Sequence, residues 1–219
     1  EDDVCVVCMG ALIAPGWVAT DDNCYNKVFY STYLTTVFFY LDNASKRQVY
    51  KAIGYSVADA TRNMDMDFIQ IEYIGSGTPL PIDPAPINCL DTYPSEFTLL
   101  YWLPVAGAPL GTRTFSERTV SLMPQADCIY AIQTNTLSWS VLYDYYYCLS
   151  NPDDIAFFMS YNFLGNAAIS VDASGNVLFL GQTAYYYLHV PMNVNATVVT
   201  KTSMRVAALE SYFNATCAN

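Results

Sequence analysis

The sequence predicts an all-β protein of two antiparallel barrels joined by an extended crossing and closed by a C-terminal α-helix. Three observations predict it. Short β-branched and aromatic runs recur along all 219 residues with turn residues between them. The stretch Thr78 to Asn88 carries Pro79, Pro81, Pro84 and Pro86, the composition of an extended segment between two halves. Near the end, Val206, Leu209, Tyr212 and Phe213 repeat at helical spacing within Ser203 to Thr216.

The first half supplies strands at Cys5 to Ile13, Trp17 to Thr20, Thr35 to Leu41, Tyr50 to Tyr55 and Phe68 to Tyr73. The second supplies Thr98 to Leu103, Arg118 to Leu122, Ala156 to Phe158, Ala168 to Val171, Val177 to Thr183 and Val198 to Thr200. Asp172-Ala173-Ser174-Gly175-Asn176 reads as a hairpin loop. Pro124 to Ile132 reads as a short helix leading into Cys128. Three parts follow: residues 1–85 as a first barrel, 86–202 as a second, and 203–219 as the terminal helix.

Composition narrows the partners. Nine Lys and Arg against twenty Asp and Glu give a net charge of −11, which disfavours nucleic acid because phosphate binding needs basic patches. Charged residues make up 13% of the chain, about half the roughly 25% of ordinary globular proteins. Such a surface is kept soluble by glycans or covered by protein contacts. The runs Tyr145-Tyr146-Tyr147 and Tyr185-Tyr186-Tyr187 add to this, because alternation in a strand sends at least one Tyr of each run outward. No apolar run reaches the length of a membrane span.

Seven cysteines and the sequons at Asn43, Asn195 and Asn214 indicate an oxidising, secreted setting with N-linked glycans. The chain opens on Glu1-Asp2-Asp3, as expected once an export signal has been removed.

The segment Cys8-Met9-Gly10-Ala11-Leu12-Ile13 through Trp17-Val18-Ala19-Thr20-Asp21-Asp22-Asn23-Cys24 resembles the C-G-G-S-L-I … W-V-L-T-A-A-H-C motif of trypsin-like serine proteases. Further matches follow in the family's order. Asp67-Phe68-Ile69 resembles the segment of the catalytic Asp, and Pro86-Ile87-Asn88-Cys89-Leu90 the start of the crossing. Gly165-Asn166-Ala167-Ala168-Ile169 stands where the family has G-D-S-G-G. The resemblance implies two six-stranded barrels, the first short of its N-terminal strand. It implies disulfides Cys8–Cys24, Cys128–Cys148 and Cys89–Cys217.

The same resemblance implies a lost reaction. A serine protease needs an attacking oxygen, a base to take its proton and an acid to orient the base. Ala167 has no hydroxyl. Asn23 carries an amide, which accepts no proton near neutral pH. Asp67 alone keeps its family identity, and its expected role is structural. Asn166 replaces the Asp that pairs with a new N-terminal amine. By position Tyr161, Phe163 and Tyr186 fill the specificity pocket, and Tyr161, Tyr185 and Tyr186 form the expected binding surface.

The sole histidine, His189, falls outside the base motif. Met64-Asp65-Met66-Asp67 lacks the oxygen-rich spacing and Gly of a calcium loop. No metal and no cofactor are expected.

Cys5 remains odd: it is either a buried free thiol or bonded to another polypeptide. Without a preceding strand, Val4, Val6 and Val7 line an edge that recruits a strand from upstream, from a second copy or from another protein. The alternative is that upstream residues are simply outside this chain.

Family members without the triad act as binding proteins. The expected function is therefore a non-enzymatic, glycosylated extracellular subunit of a protein assembly. The alternative is a secreted inhibitor or decoy, glucanase-inhibitor-like. The partner is another protein or copies of the same chain.

Overall fold

The computed structural model describes residues 9–21, 36–41, 46–57, 66–79, 81–104, 113–135, 146–150, 165–189, 194–203, 210 and 213–218. These form two antiparallel sheets and the helix Gln125–Asn135; of the expected terminal helix, Glu210 and Phe213 are helical and residues 204–209 and 211–212 lie outside the described residues. Strands β1 (Ala11–Ala14), β2 (Trp17–Thr20), β3 (Thr36–Leu41), β4 (Lys46–Val57) and β5 (Asp67–Tyr73) make a five-stranded sheet in the order β1-β2-β5-β4-β3. Strands β6 (Glu96–Pro104), β7 (Arg113–Leu122), β8 (Tyr146–Ser150), β9 (Ala167–Val171), β10 (Val177–His189) and β11 (Val194–Lys201) close a barrel in the order β10-β11-β8-β7-β6-β9. The all-β expectation therefore holds. Six-stranded closure belongs to the second half, whereas the first half is a five-stranded sheet among the described residues.

Alternation in β5 explains how the first sheet buries both faces. Ile69 and Ile71 join Val18 of β2 in one apolar cluster, with Val37, Phe39, Tyr50 and Ala52 packed against it. Phe68 points the other way and joins Ile13, Ala19 and Met66 in a second cluster. That second cluster also contains Ile87, Ala167, Ile169, Phe179 and Phe213. It therefore welds the first sheet to the barrel and to the C-terminal segment. The Phe213 ring lies 4.5 Å from Phe68 and 4.7 Å from Trp17. Removing a buried Phe side chain of this kind costs about 3–5 kcal/mol.

The proline-rich crossing is more than a linker. Its composition predicts an extended chain, and the extended chain is hydrogen-bonded on both sides. Ala85 N donates to Leu12 O of β1 at 3.0 Å, and Asn88 N donates to Phe179 O of β10 at 2.9 Å. Ile87 N donates to Thr216 O, and Ala218 N returns a bond to Ile87 O. Prolines at 84 and 86 surrender no N–H that these bonds need. Ile87, fully buried, pins the crossing in the shared core. The Cys89–Cys217 disulfide then ties the crossing to the C-terminal segment, as the resemblance implied.

Helix α1 (Gln125–Asn135) starts beside Pro124, whose carbonyl accepts from Asp127 N and Cys128 N at 3.0 Å each. Asp127 sits in its first turn, where a negative charge favours the helix dipole. The helix reaches Asn135, three residues past the predicted end. It packs against β8, β10 and β11, and Cys128 bonds Cys148 of β8.

Strand β8 was absent from the expected strands. The tyrosines there read as surface residues because one of any adjacent pair must leave the barrel interior. Tyr147 does point inward, joining Phe97, Leu99, Leu149, Leu180 and Val199. Tyr146 shares the other face with Cys148, which is the α1 side, and is buried too. A helix covers the outward face, so outward does not mean exposed.

Burial of these tyrosines has a pH consequence. The Tyr147 ring stands 4.5 Å from Tyr93 and 5.1 Å from Phe97. Burial, with the Tyr93 hydroxyl nearby, pushes the Tyr147 phenol well above its usual range. Burial likewise pushes Tyr93 up to about 12, although its hydroxyl shares a hydrogen bond with Ser203 Oγ at 3.0 Å. Raised phenol pKa values mean that the folded state keeps protons the unfolded chain loses. Stability is then fully present below about pH 10 and falls as pH rises through the folded values. Chemical denaturation from pH 8 to 11 is expected to show this fall, and Tyr147→Phe is expected to make it shallower.

Candidate functional site

Of the three positions predicted as a degenerate triad, Asp67 and Ala167 are the first residues of β5 and β9. Thr20 closes β2 and stands directly opposite Asp67, the first residue of β5. Both are buried, Asp67 at 4% exposure. Thr20 Oγ1 donates to Met9 O at 2.7 Å, which holds the start of β1 against the end of β2.

The barrel contributes Gly165-Asn166-Ala167 to the same junction. Gly165 has φ +77°, and a Cβ there would fall 2.2 Å from Met9 O and 3.1 Å from Thr20 Oγ1. Only glycine allows this approach of barrel to sheet. Asn166, fully buried, is held through its backbone: its N–H donates to Thr183 Oγ1 at 3.2 Å, and its carbonyl accepts from Thr183 N at 2.9 Å. Ala167 follows at 5% exposure and packs with Phe68, Ile13 and Phe213.

Asp67 and Ala167 are thus brought to one buried junction through Thr20 and Gly165. What they present is a carboxylate on one side and a methyl group on the other. Neither supplies a nucleophilic oxygen with a proton to lose. The hydrogen bonds from Thr20 to Met9 and between Asn166 and Thr183 stay within each half, and the apolar cluster of Phe68, Ala167 and Phe213 joins the two.

The other predicted residues are spread more widely. Cys128–Cys148 and Cys89–Cys217 are bonded as expected, with sequence separations of 20 and 128. Tyr185 and Tyr186 lie in β10, paired with Val198 and Thr197, and Asn195 lies in β11 opposite Leu188. Asn214 is exposed, with φ +53° just past the last helical residue described, Phe213. Asn23, Asn43, Tyr161, Cys5, Cys8 and Cys24 lie outside the described residues, as do Phe163 and Val4, Val6 and Val7.

Glu210 Oε1 lies 2.9 Å from Cys217 Sγ, and Cys89, Glu210 and Cys217 place donor atoms within 4.8 Å of one another. Both sulfurs are spent in the disulfide, so the cluster offers a single carboxylate and no thiolate.

Sequence reading missed a groove of about 330 Å³ between the β1–β2 turn, the crossing and the C-terminal segment. Trp17, Pro84 and Phe213 wall it, and Asn214 and Thr216 stand at its rim. Its one sequence signal is the sequon that ends it, which in sequence looks like any other.

Among the described residues, no helix is long and apolar enough to cross a membrane. The chain matches no known protein-family model and no curated protein sequence.

Proposed function

We propose that the chain is a catalytically inactive protein of trypsin-like descent, serving as a glycosylated, extracellular subunit of a protein assembly. The observation that carries the reading is that Asp67, paired with Thr20, and Ala167, two residues after the glycine that backs onto Thr20, are both buried at the seam between sheet and barrel. Residues 67 and 167, far apart in sequence, approach one seam, which supports reading them as the acid and nucleophile positions of the motif resemblance. The amide at Asn23 removes the base as well.

Two further observations support this reading, one for a binding role and one for the compartment. Large apolar side chains are exposed on both sheets, among them Ile53 and Ile74 on the first and Phe115, Val171 and Val177 on the barrel. Val171 and Val177 face each other across β9 and β10, so they form a continuous patch beside the Asp172 turn. Patches of this sort in a chain of low charge suit protein contacts. The two disulfides fit an oxidising compartment.

The reading is tested by labelling and by size. A serine-directed phosphonate is expected to leave the protein unmodified. Ala167→Ser is also expected to stay unlabelled, because a hydroxyl without a base is no nucleophile, and to lose about 1–2 kcal/mol by burying an added hydroxyl in an apolar cluster. Rapid labelling of the wild-type chain would overturn the inactive reading. Size-exclusion chromatography of native material is expected to show a complex. A sharp monomer under both reducing and non-reducing conditions would overturn the assembly and favour an inhibitor or decoy.

A further inference from the structure

The groove at Asn214 has a lining of one kind. Every side chain that lines it is uncharged. Trp17 and Phe213 give it an aromatic wall, their ring centroids 4.7 Å apart. Pro15 and Pro84 add rigid apolar surface and no N–H. At about 330 Å³ the groove sits at the small end of ligand sites, which run from about 300 to 1,000 Å³. Such a site suits a small neutral ligand with one C–H-covered face and one hydroxylated edge, which describes a pyranose sugar.

The rim supplies the means of attachment. Asn214 is exposed and begins the sequon Asn214-Ala215-Thr216. Its N–H donates to Glu210 O at 3.2 Å, and its left-handed φ of +53° turns the chain out of the helix end. Asn214 itself lines the groove, so a group attached to it starts at the groove.

We propose that the groove seats the N-linked glycan of Asn214 itself, with its first N-acetylglucosamine lying against Trp17 and Phe213. The inference rests on the reading of this chain as a glycoprotein. In the attachment, Asn214 Nδ2 forms a bond to C1 of N-acetylglucosamine from a polyprenyl-diphosphate-linked oligosaccharide. The nitrogen loses one proton, and the polyprenyl diphosphate leaves. Once attached, the sugar is present at the millimolar effective concentration of a short tether, so weak contacts suffice to dock it. Docked there, it bridges the β1–β2 turn, the crossing and the C-terminal segment, which are distant in sequence. The sugar becomes part of the seam between the halves.

The test uses the full chain secreted from a glycosylating eukaryotic host. Glycopeptide mass spectrometry is expected to find Asn214 occupied. Peptide N-glycosidase is expected to release that glycan at least about tenfold more slowly from native than from denatured protein, the ratio for a docked state favoured by about 1.4 kcal/mol. Trp17→Leu is expected to speed native release.

Because Trp17 also packs on the core, a second comparison avoids touching it. Thr216→Ala abolishes the sequon and leaves Asn214 in place. It is expected to lower Tm by about 2–4 °C in glycosylated material beyond its effect in bacterially made protein. An unoccupied Asn214 would overturn the glycoprotein reading at this site. An occupied Asn214 with equal native and denatured release, or equal Tm effects from both hosts, would overturn docking alone.

Discussion

Gly181→Ala is expected to lower stability by about 3–6 kcal/mol, enough to bring a domain of ordinary stability close to unfolding. Gly181 sits in β10, the strand that closes the barrel between β9 and β11. It pairs with Ala168 on one side and Lys201 on the other. The register with β9 shifts between Phe179 and Gly181, so the backbone bulges there. Its φ is +153°, a conformation that residues with a Cβ rarely adopt.

Space is the larger obstacle. A Cβ at position 181 would lie 1.9 Å from Thr200 O and 2.9 Å from Val199 Cγ1. The first of these is backbone, so no rotamer change relieves it. Either β10 or β11 must shift, and both carry buried residues of the barrel core, Leu180 and Val199. Gly175→Ala is the matching control. Its φ of +82° is also unfavourable, but a Cβ there meets nothing within 4 Å, so about 1 kcal/mol is expected. Urea midpoints of the two variants measure the difference. Equal losses would show that the contact with Thr200 relaxes freely.

The second large effect concerns the disulfides. Replacing Cys89 and Cys217 together with alanine is expected to cost about 5 kcal/mol, against about 3 kcal/mol for Cys128 and Cys148. The difference comes from the unfolded chain, because the first bond closes a loop of 128 residues and the second a loop of 20. A longer loop removes more conformational entropy when closed. The Cys89–Cys217 bond also holds together two segments that meet on Ile87, beside the core shared by both halves. Its loss is expected to raise the urea m-value as the unfolded state expands. A smaller loss for the long loop than for the short one would overturn this account.

Much of the local structure was legible because it depends on neighbours in sequence. The strand Trp17–Thr20 has the bounds its β-branched and aromatic residues predict. The turn at Asp172 closes as its residue types require: Asp172 Oδ1 accepts from Ser174 N at 2.8 Å and Asn176 N at 2.9 Å. Helix α1 begins after Pro124 for equally local reasons. Strand ends were less legible. β6 begins at Glu96 and not Thr98 because Phe97 finds Val120 across the sheet and becomes buried, a partner twenty-three residues away. β8 was missed because its tyrosines are hidden on one side by the barrel and on the other by a helix.

Of the candidate site, the sequence alone determined which groups stand there: a methyl at Ala167, a carboxylate at Asp67, and an Asn-Ala-Thr triplet at 214–216. Tertiary structure alone decided its geography. Thr98 meets Ile169 to close the barrel, Gly165 backs onto Met9 beside Thr20 and Asp67, and Trp17 meets Phe213 over a groove. The physical reason is the period of the strand. Alternation specifies which side of a strand is apolar, whereas the partner for that side is chosen by packing among all the apolar faces the chain can bring together.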